Sequence, residues 1–406
     1  MKRITLLLLV MAVMVLSAGC GSRRELNELG LVIATGVDGS KGNYRITSQM
    51  IIPSALYSGS GGASGTGSQT GVFVFTSEGH TVKEALDRSV LKNSRRLYFS
   101  HNNIFVIGKE TADDGIYELI DSFLRNLEAR ETVKVLVAES SAKEILEMLM
   151  PPEKLPGKAL DDLLNKEEKV ESVYKAVTVH EIAYMLSSEA NAVSIPEIRM
   201  EGSEEEDLKT SEAFKRTAPR ANLILSGLSL FRGEKRVGSL NEQQSLGVSW
   251  LMNQVKHQTL SFDGSREEMS SFVIDSAKVK VTPVKGEEGY ILKVRAKANG
   301  GLRESNSMDD ITDPKGIKLM ETEIEREITQ IIQEGWAGLQ QQKVDVLGLA
   351  DKIYRRNPKE WRSIQPQWNE QFAKMKLDIQ VKVSIKRTGL FGESFRKLQN
   401  KLHGEE

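Results

Sequence analysis

Hydrophobic positions fall into three patterns along this chain: one unbroken run at the start, alternation with polar residues, and spacing by three and four. The unbroken run is Ile4 to Leu16, interrupted only by Thr5 and preceded by Lys2 and Arg3. It falls short of the roughly 20 residues of a spanning helix and predicts the core of a secretion signal. Ser17, Ala18 and Gly19 supply the small residues before a signal-peptidase cut, and Cys20 follows at once. No later stretch is long and apolar enough to predict a span.

Alternation predicts a strand at Leu31–Val37 and another at Tyr44–Ile52, joined as a hairpin through turn residues Asp38–Asn43. Ser58–Ser68 is a Gly/Ser-rich loop, followed by a strand at Val72–Thr76. Helix and strand then alternate: helices at Thr81–Asn93, Ala112–Leu127 and Ala142–Met150, strands at Asn102–Gly108 and Val133–Ala138. Ser141 is read as an N-cap, and Pro151-Pro152 as a stop. These elements predict an N-terminal α/β domain over residues 20–152.

Residues 153–218 read as a middle helical region or small domain, with helices at Leu160–Val173 and Thr178–Ser188 and an acidic run at Glu204–Asp207. Residues 219–388 read as a C-terminal α+β domain. Its strands are Asn222–Phe231, Val255–Phe262, Phe272–Val281, Tyr290–Ala298 and Leu377–Ile385. Asp313 as N-cap and Pro314 at the first helical position open a long helix. Its apolar stripe is Ile317, Met320, Ile324, Ile328, Ile331 and Ile332. Further helices are expected at Val346–Tyr354 and Pro358–Met375. Residues 389–406 carry Phe391, Phe395, Leu398 and Leu402 at helical spacing, a tail helix. The expected fold class is α+β: three mixed α/β domains, with β-sheets flanked by helices, behind a lipoprotein signal peptide at residues 1–19.

Composition adds compartment and excludes partners. Cys20 is the one cysteine, so no intramolecular disulfide is available and the fold relies on its core. Small residues ending in Gly19-Cys20 form a lipobox, in which Cys20 receives a diacylglycerol and becomes the mature N-terminus. Two acyl chains anchor a protein stably where one does not. Net charge is −1, or −3 once Lys2 and Arg3 are removed, which gives no push toward nucleic acid. Arg23 and Arg24, with Glu25 and Asn27, either meet anionic headgroups or lie solvated at the start of the first element.

Catalytic patterns are not found. The five histidines are scattered without metal-ligand spacing, and His101 reads as structural. Gly233 to Ser239 has P-loop-like spacing but lacks the lysine. Asp309, Asp310 and Asp313 read better as helix-capping acids than as a metal cluster. Trp250, Trp336, Trp361 and Trp368 read as core or interface anchors. No catalytic residue, metal or cofactor is expected.

Five segments, in order, carry a family resemblance: Gly19-Cys20 with Arg23–Leu29; Arg95–His101 with Val106–Gly108; Phe123–Arg130; Leu225–Phe231 with Val237–Asn241; and Asp345–Leu349 with Arg355–Pro358 and Trp361. Together they resemble the Ger(x)C family of spore germination lipoproteins, the C subunits of GerA-type germinant receptors. Gly21-Ser22 stands where the family usually has Trp-Asp. The resemblance implies a non-enzymatic lipid-anchored protein on the outer face of the spore inner membrane. It implies an A subunit and a B subunit as membrane partners, responding to amino acids or sugars. The alternative is a solute-binding lipoprotein that captures the germinant directly.

Overall fold

In the computed structural model, described residues are 29–52, 70–126, 128–202, 208–218, 221–263, 269–287, 289–305 and 313–388, with isolated Ile4 and Gln399. The expected signal peptide apart from Ile4, the Gly/Ser loop at 58–68, the acidic run and the expected tail helix apart from Gln399 lie outside them. The first half contains strands β1 (Leu29–Ser40), β2 (Asn43–Ile51), β3 (Val72–Gly79), β4 (Arg96–Tyr98), β5 (Ile104–Ile107), β6 (Lys134–Ala138), β7 (Val177–Thr178) and β8 (Ala192–Gly202). Its helices are α1 (Val82–Arg88), α2 (Lys109–Asp114), α3 (Tyr117–Arg125), α4 (Ala142–Glu147), α5 (Pro156–Val170) and α6 (Val179–Leu186). Then come β9 (Ala221–Arg232), β10 (Lys235–Leu240), α7 (Glu242–Leu251), β11 (Gln258–Asp263), β12 (Met269–Lys285) and β13 (Tyr290–Glu304). Helices α8 (Pro314–Gln342), α9 (Leu349–Arg356), α10 (Pro358–Ile364) and α11 (Trp368–Lys374) lead to β14 (Lys376–Arg387).

The first ten strands form one sheet, with main order β10-β9-β8-β6-β5-β1-β2-β3; β4 pairs with β1 and β7 with β6. Its centre is parallel (β1–β5, β5–β6, β6–β8), with antiparallel pairs on each side. Central parallel strands are buried on both faces and read as continuous apolar runs. In β5, Ile104 and Val106 face one core with Leu136, Ile145, Leu146 and Leu160. Phe105 and Ile107 face the other, with Val135, Ile116, Leu119 and Ile182. Helices α4 and α5 cover the first face; α2, α3 and α6 cover the second.

The expected hairpin is present, but its turn is shorter than expected. Asp38–Ser40 continue β1, and only Lys41 and Gly42 lie between the paired residues Ser40 and Asn43. Asp38 stays in the strand because its buried carboxylate accepts the N–H groups of Ala142 (2.8 Å) and Lys143 (2.9 Å). It thereby caps α4 alongside Ser141, whose hydroxyl accepts Glu144 N–H at 3.1 Å. The single helix expected over Ala112–Leu127 is two helices. Gly115, with φ 143°, ends α2, and Ile116 N–H bonds outward to the Glu234 carbonyl at 2.9 Å. The helix expected over Pro358–Met375 is likewise divided, by a 3-10 turn at Gln365–Gln367. Pro366 has no N–H to continue an α-helix.

Two readings of domain organisation change more. Residues 153–218 are not wholly helical, because β8 lies there. Pro196 hides that strand in the sequence. It is tolerated because β8 pairs with β6 only from Glu197 onward, leaving one neighbour at Pro196. The large sheet also runs through both 152/153 and 218/219, since β8, β9 and β10 extend it. The segment with P-loop-like spacing is the turn of the β9–β10 hairpin and most of β10.

The second sheet has order β11-β12-β13-β14, with β13 and β14 parallel. Helix α8 lies across it and buries Met320, Ile324, Ile328, Ile331 and Ile332 as the stripe requires; Ile317 is half-buried. Asp313 occupies the N-cap position, but its side chain makes no cap hydrogen bond. The edge strand β14 is blocked by α8: Glu325 accepts Val383 N–H and Glu321 accepts Ile385 N–H, each at 3.1 Å. Occupied N–H groups deny this edge to another chain.

Helix α7 carries no sequence signal of an amphipathic helix, because nearly all of its second half is buried, including Trp250. It joins the β9–β10 hairpin and the second sheet in one core. Gly247 and Gly335 let α7 and α8 meet backbone to backbone. A Cβ on Gly335 would come within 2.5 Å of the Gly247 carbonyl carbon. Gly335→Ala is expected to cost about 1–3 kcal/mol through overpacking, read as a lower denaturant midpoint at unchanged m-value. An unchanged midpoint would show that the crossing has slack.

Candidate functional site

Residues named from the sequence as membrane-proximal, Cys20, Arg23, Arg24, Glu25 and Asn27, lie outside the described residues, as do Asp309 and Asp310. The described residues nearest to them in the chain are those that begin β1. His101 is exposed and packs edge-on to Tyr98, ring centroids 6.1 Å apart. Its neighbour Asn102 is buried instead, 2.7 Å from Thr35 Oγ1. The two do not form one polar site. All four tryptophans are buried, as expected.

A groove of about 1090 Å³ lies between α1 and α3. Leu97 and Phe99 line it from β4 and the turn beyond, Val82 and Leu86 from α1. Thr81 sets the start of α1 by accepting Glu84 N–H at 3.1 Å. The opposite wall is Tyr117, Glu118, Asp121, Ser122 and Arg125 of α3; Phe123 of the same helix packs on Phe105 of β5 with centroids 5.3 Å apart, which seats α3 on the sheet. Tyr44 reaches from β2 and donates to Glu118 at 2.7 Å; burial pushes its hydroxyl pKa well above the ordinary tyrosine range.

The rim charges are largely satisfied by one another. Lys83 pairs with Asp87, Arg125 with Asp121 (2.8 Å) and Arg96 with Glu128 (2.8 Å). Such a surface suits packing against an apolar partner more than proton transfer. No group of three or more His, Cys, Asp or Glu residues with metal-binding geometry occurs among the described residues. Two segments of the family resemblance, Arg95–His101 and Phe123–Arg130, meet at this groove. They are separated in sequence, and only the packing of α3 over β4 and β5 joins them.

Of the remaining segments of the resemblance, the two that lie among the described residues are structural nodes. Ser229, in Leu225–Phe231, and Arg236 of β10 enclose the buried carboxylate of Glu197. Arg236 Nη2 lies 3.0 Å from Glu197 Oε1, and Arg236 Nε donates to Ser229 Oγ at 2.8 Å. Asn241 forms a reciprocal capping box with Gln244 at the start of α7. Asp345 is fully buried before α9. Its carboxylate accepts from Leu349 N–H (3.0 Å), Ala350 N–H (2.8 Å) and Trp368 Nε1 (3.2 Å). Trp368 stacks edge-on with Trp361, whose Nε1 donates to Glu189 at 2.8 Å. Asp351 of α9 in turn accepts the N–H groups of Glu189 (3.1 Å) and Ala190 (3.3 Å). This node fastens the C-terminal helices to the loop that enters β8. The sequence showed its residues as a motif but gave no sign of Glu189.

Burial pushes the Asp345 carboxyl up to about 7, against the opposing pull of its three N–H donors. The folded state then holds this proton more tightly than the unfolded chain, where the ordinary value is 3.8. The associated stability is complete below that value and is lost as pH rises toward about 7. The stability of the wild type relative to Asp345→Asn is expected to fall over that range, by up to about 1.4 kcal/mol per pH unit, and to level off above it. Urea unfolding from pH 4 to 8 checks this. A difference that stays constant would mean that Asp345 is ionised throughout.

Residues 22–200 match the family model described as "Spore germination protein N-terminal domain". Residues 226–389 match the model described as "Spore germination B3/ GerAC like, C-terminal". Among curated proteins, the chain is similar to Spore germination protein KC of Bacillus subtilis (strain 168), 28% identical over 96% of each chain. It is also similar to Spore germination protein YndF of the same organism, 24% identical over 96% of this chain and 97% of the relative. Among solved structures, the GerBC protein shares the fold: TM-score 0.54, 16% identity, 87% of this chain and 97% of that one. The two family models meet in the large sheet, between β8 and β9, so one continuous sheet carries both. Matched in both halves, the chain belongs to the Ger(x)C family of spore germination proteins.

Proposed function

We propose that this protein is the lipid-anchored, non-enzymatic C subunit of a nutrient germinant receptor. The observation that carries this reading is the pair of family matches over residues 22–200 and 226–389, immediately behind a lipobox ending at Cys20. Cys20 would carry the diacylglycerol. Arg23 and Arg24, with Glu25 and Asn27, would lie between it and β1, where two cations can meet anionic headgroups. The protein would sit on the outer face of the spore inner membrane and work beside membrane-embedded A and B subunits. Its contribution would be made by surfaces. The α1/α3 groove, with an apolar floor and self-paired rim charges, suits an apolar segment of such a partner.

No helix among the described residues is long and apolar enough to cross a membrane, so the anchor would supply the attachment. Cys20→Ala is therefore expected to move the protein from the membrane fraction to the soluble fraction of spores and to slow nutrient-triggered germination. Fractionation with immunoblotting, and optical-density loss after nutrient addition, measure the two effects. Full membrane retention with a normal nutrient response would sink the anchor. A pull-down from detergent-solubilised spore membranes tests the partners, and absence of both A and B subunits counts against the receptor reading.

A further inference from the structure

The 3-10 turn at Ser89–Leu91 ends in two adjacent apolar side chains that point into solvent. Val90 is 66% exposed and Leu91 is 83% exposed. The turn is not loosely held. Just beyond it, Lys92 Nζ donates to the Thr76 carbonyl at 2.8 Å, and Asn93 Nδ2 lies 3.5 Å from Met50 Sδ. The fold thus holds two large apolar groups outward on a braced support. Cations follow them in the chain: Lys92 and Arg95 are exposed. The acids on the adjoining helix are already paired, Glu84 with Arg88 and Asp87 with Lys83.

The position of this turn relative to the chain's entry is the second observation. Strand β4 follows the turn, and its Arg96 pairs with Leu29, the first residue of β1. The chain therefore enters the fold beside this basic, apolar corner. Nine residue steps separate Cys20 from Leu29. At about 3.3–3.6 Å per residue they span at most about 30 Å, so a lipid on Cys20 holds this corner close to the bilayer.

We propose that Val90 and Leu91 insert into the headgroup region of an anionic bilayer, with Lys92 and Arg95 meeting lipid phosphates. This inference rests on the lipid anchor at Cys20. A second contact of this kind orients a tethered protein: apolar side chains enter the interface while cations are drawn to the negative surface. It gives the protein one preferred face toward the membrane and leaves the rest of its surface directed toward partners.

The test uses the full-length lipidated protein bearing Leu91→Cys. Cys20 is blocked by its thioether, so an environment-sensitive fluorophore labels position 91 alone. Tyr184→Cys, at a site that is 72% exposed on α6, is the control. Both proteins are reconstituted in vesicles of one part phosphatidylglycerol to three parts phosphatidylcholine. The expected result is blue-shifted emission at position 91, quenched by nitroxide lipids, with water-like emission at 184. Arg95→Glu, which leaves the Lys92 brace in place, should reduce the quenching severalfold, as should pure phosphatidylcholine. Water-like emission at 91 in protein that floats with the vesicles overturns the insertion and leaves the anchor intact. Equal quenching at 91 and 184 also overturns it. Protein that does not float, and whose Cys20 accepts the label, overturns the anchor and with it this tethered contact.

Discussion

Burial of both faces of the central parallel strands organises this molecule. Ile104 and Val106 point one way from β5, Phe105 and Ile107 the other, and each pair needs its own apolar cover. At about 25 cal/mol per Å² of apolar surface, leaving either face wet would forfeit much of a domain's marginal stability. Helices must therefore lie on both sides of the sheet. The crossover connections of parallel strands deliver them there. The α1/α3 groove follows from this cover being incomplete at the β4 end, where Leu97 and Phe99 are roofed by two short helices with space between them.

The same sheet explains how two recognisable sequence halves make one body. Antiparallel extension from β8 through β9 and β10 carries the sheet across the boundary between the family models. Glu197 and Arg236 lock that extension. A buried carboxylate is tolerated only when paired and hydrogen-bonded, and Ser229 supplies the further bond. Beyond it, α7 transmits contact to the second sheet. At the far side, Asp345, Trp361 and Trp368 return to Glu189 beside the entry to β8. The C-terminal helices are thus fastened to the large sheet through polar bonds made inside an aromatic cluster.

Two exposed features of this protein differ in character. The groove has an apolar floor and rim charges that largely satisfy one another, so it offers shape and apolar area. The corner at Val90–Leu91, which adjoins the groove through Val90, has unburied apolar groups and cations on a braced turn. One suits a partner that brings its own apolar segment; the other suits a negatively charged interface. Both lie at the end of the sheet where the chain enters from Cys20.

Local pattern alone determined much of the framework. Alternation marked the first hairpin, the second sheet and β14. Three-and-four spacing marked α8, and short apolar runs marked β5 and β6, because their burial leaves a period in the residues. The lipobox and the resemblance segments named the family, since they depend on order along the chain. Other features left no local trace. β8 contains Pro196, tolerated only because one side of the strand lacks a neighbour there. α7 has no stripe because it is buried nearly all round, and the break at Gly115 depends on an outside acceptor at Glu234. Asp38 looked like a turn residue until the helix it caps, more than a hundred positions away, came into contact with it. The groove joins Arg95–His101 to Phe123–Arg130 through packing alone. The sequence set which residues wished to be buried or turned; only the tertiary structure decided which distant groups met them, because hydrogen-bond partners and cover are properties of the assembled fold.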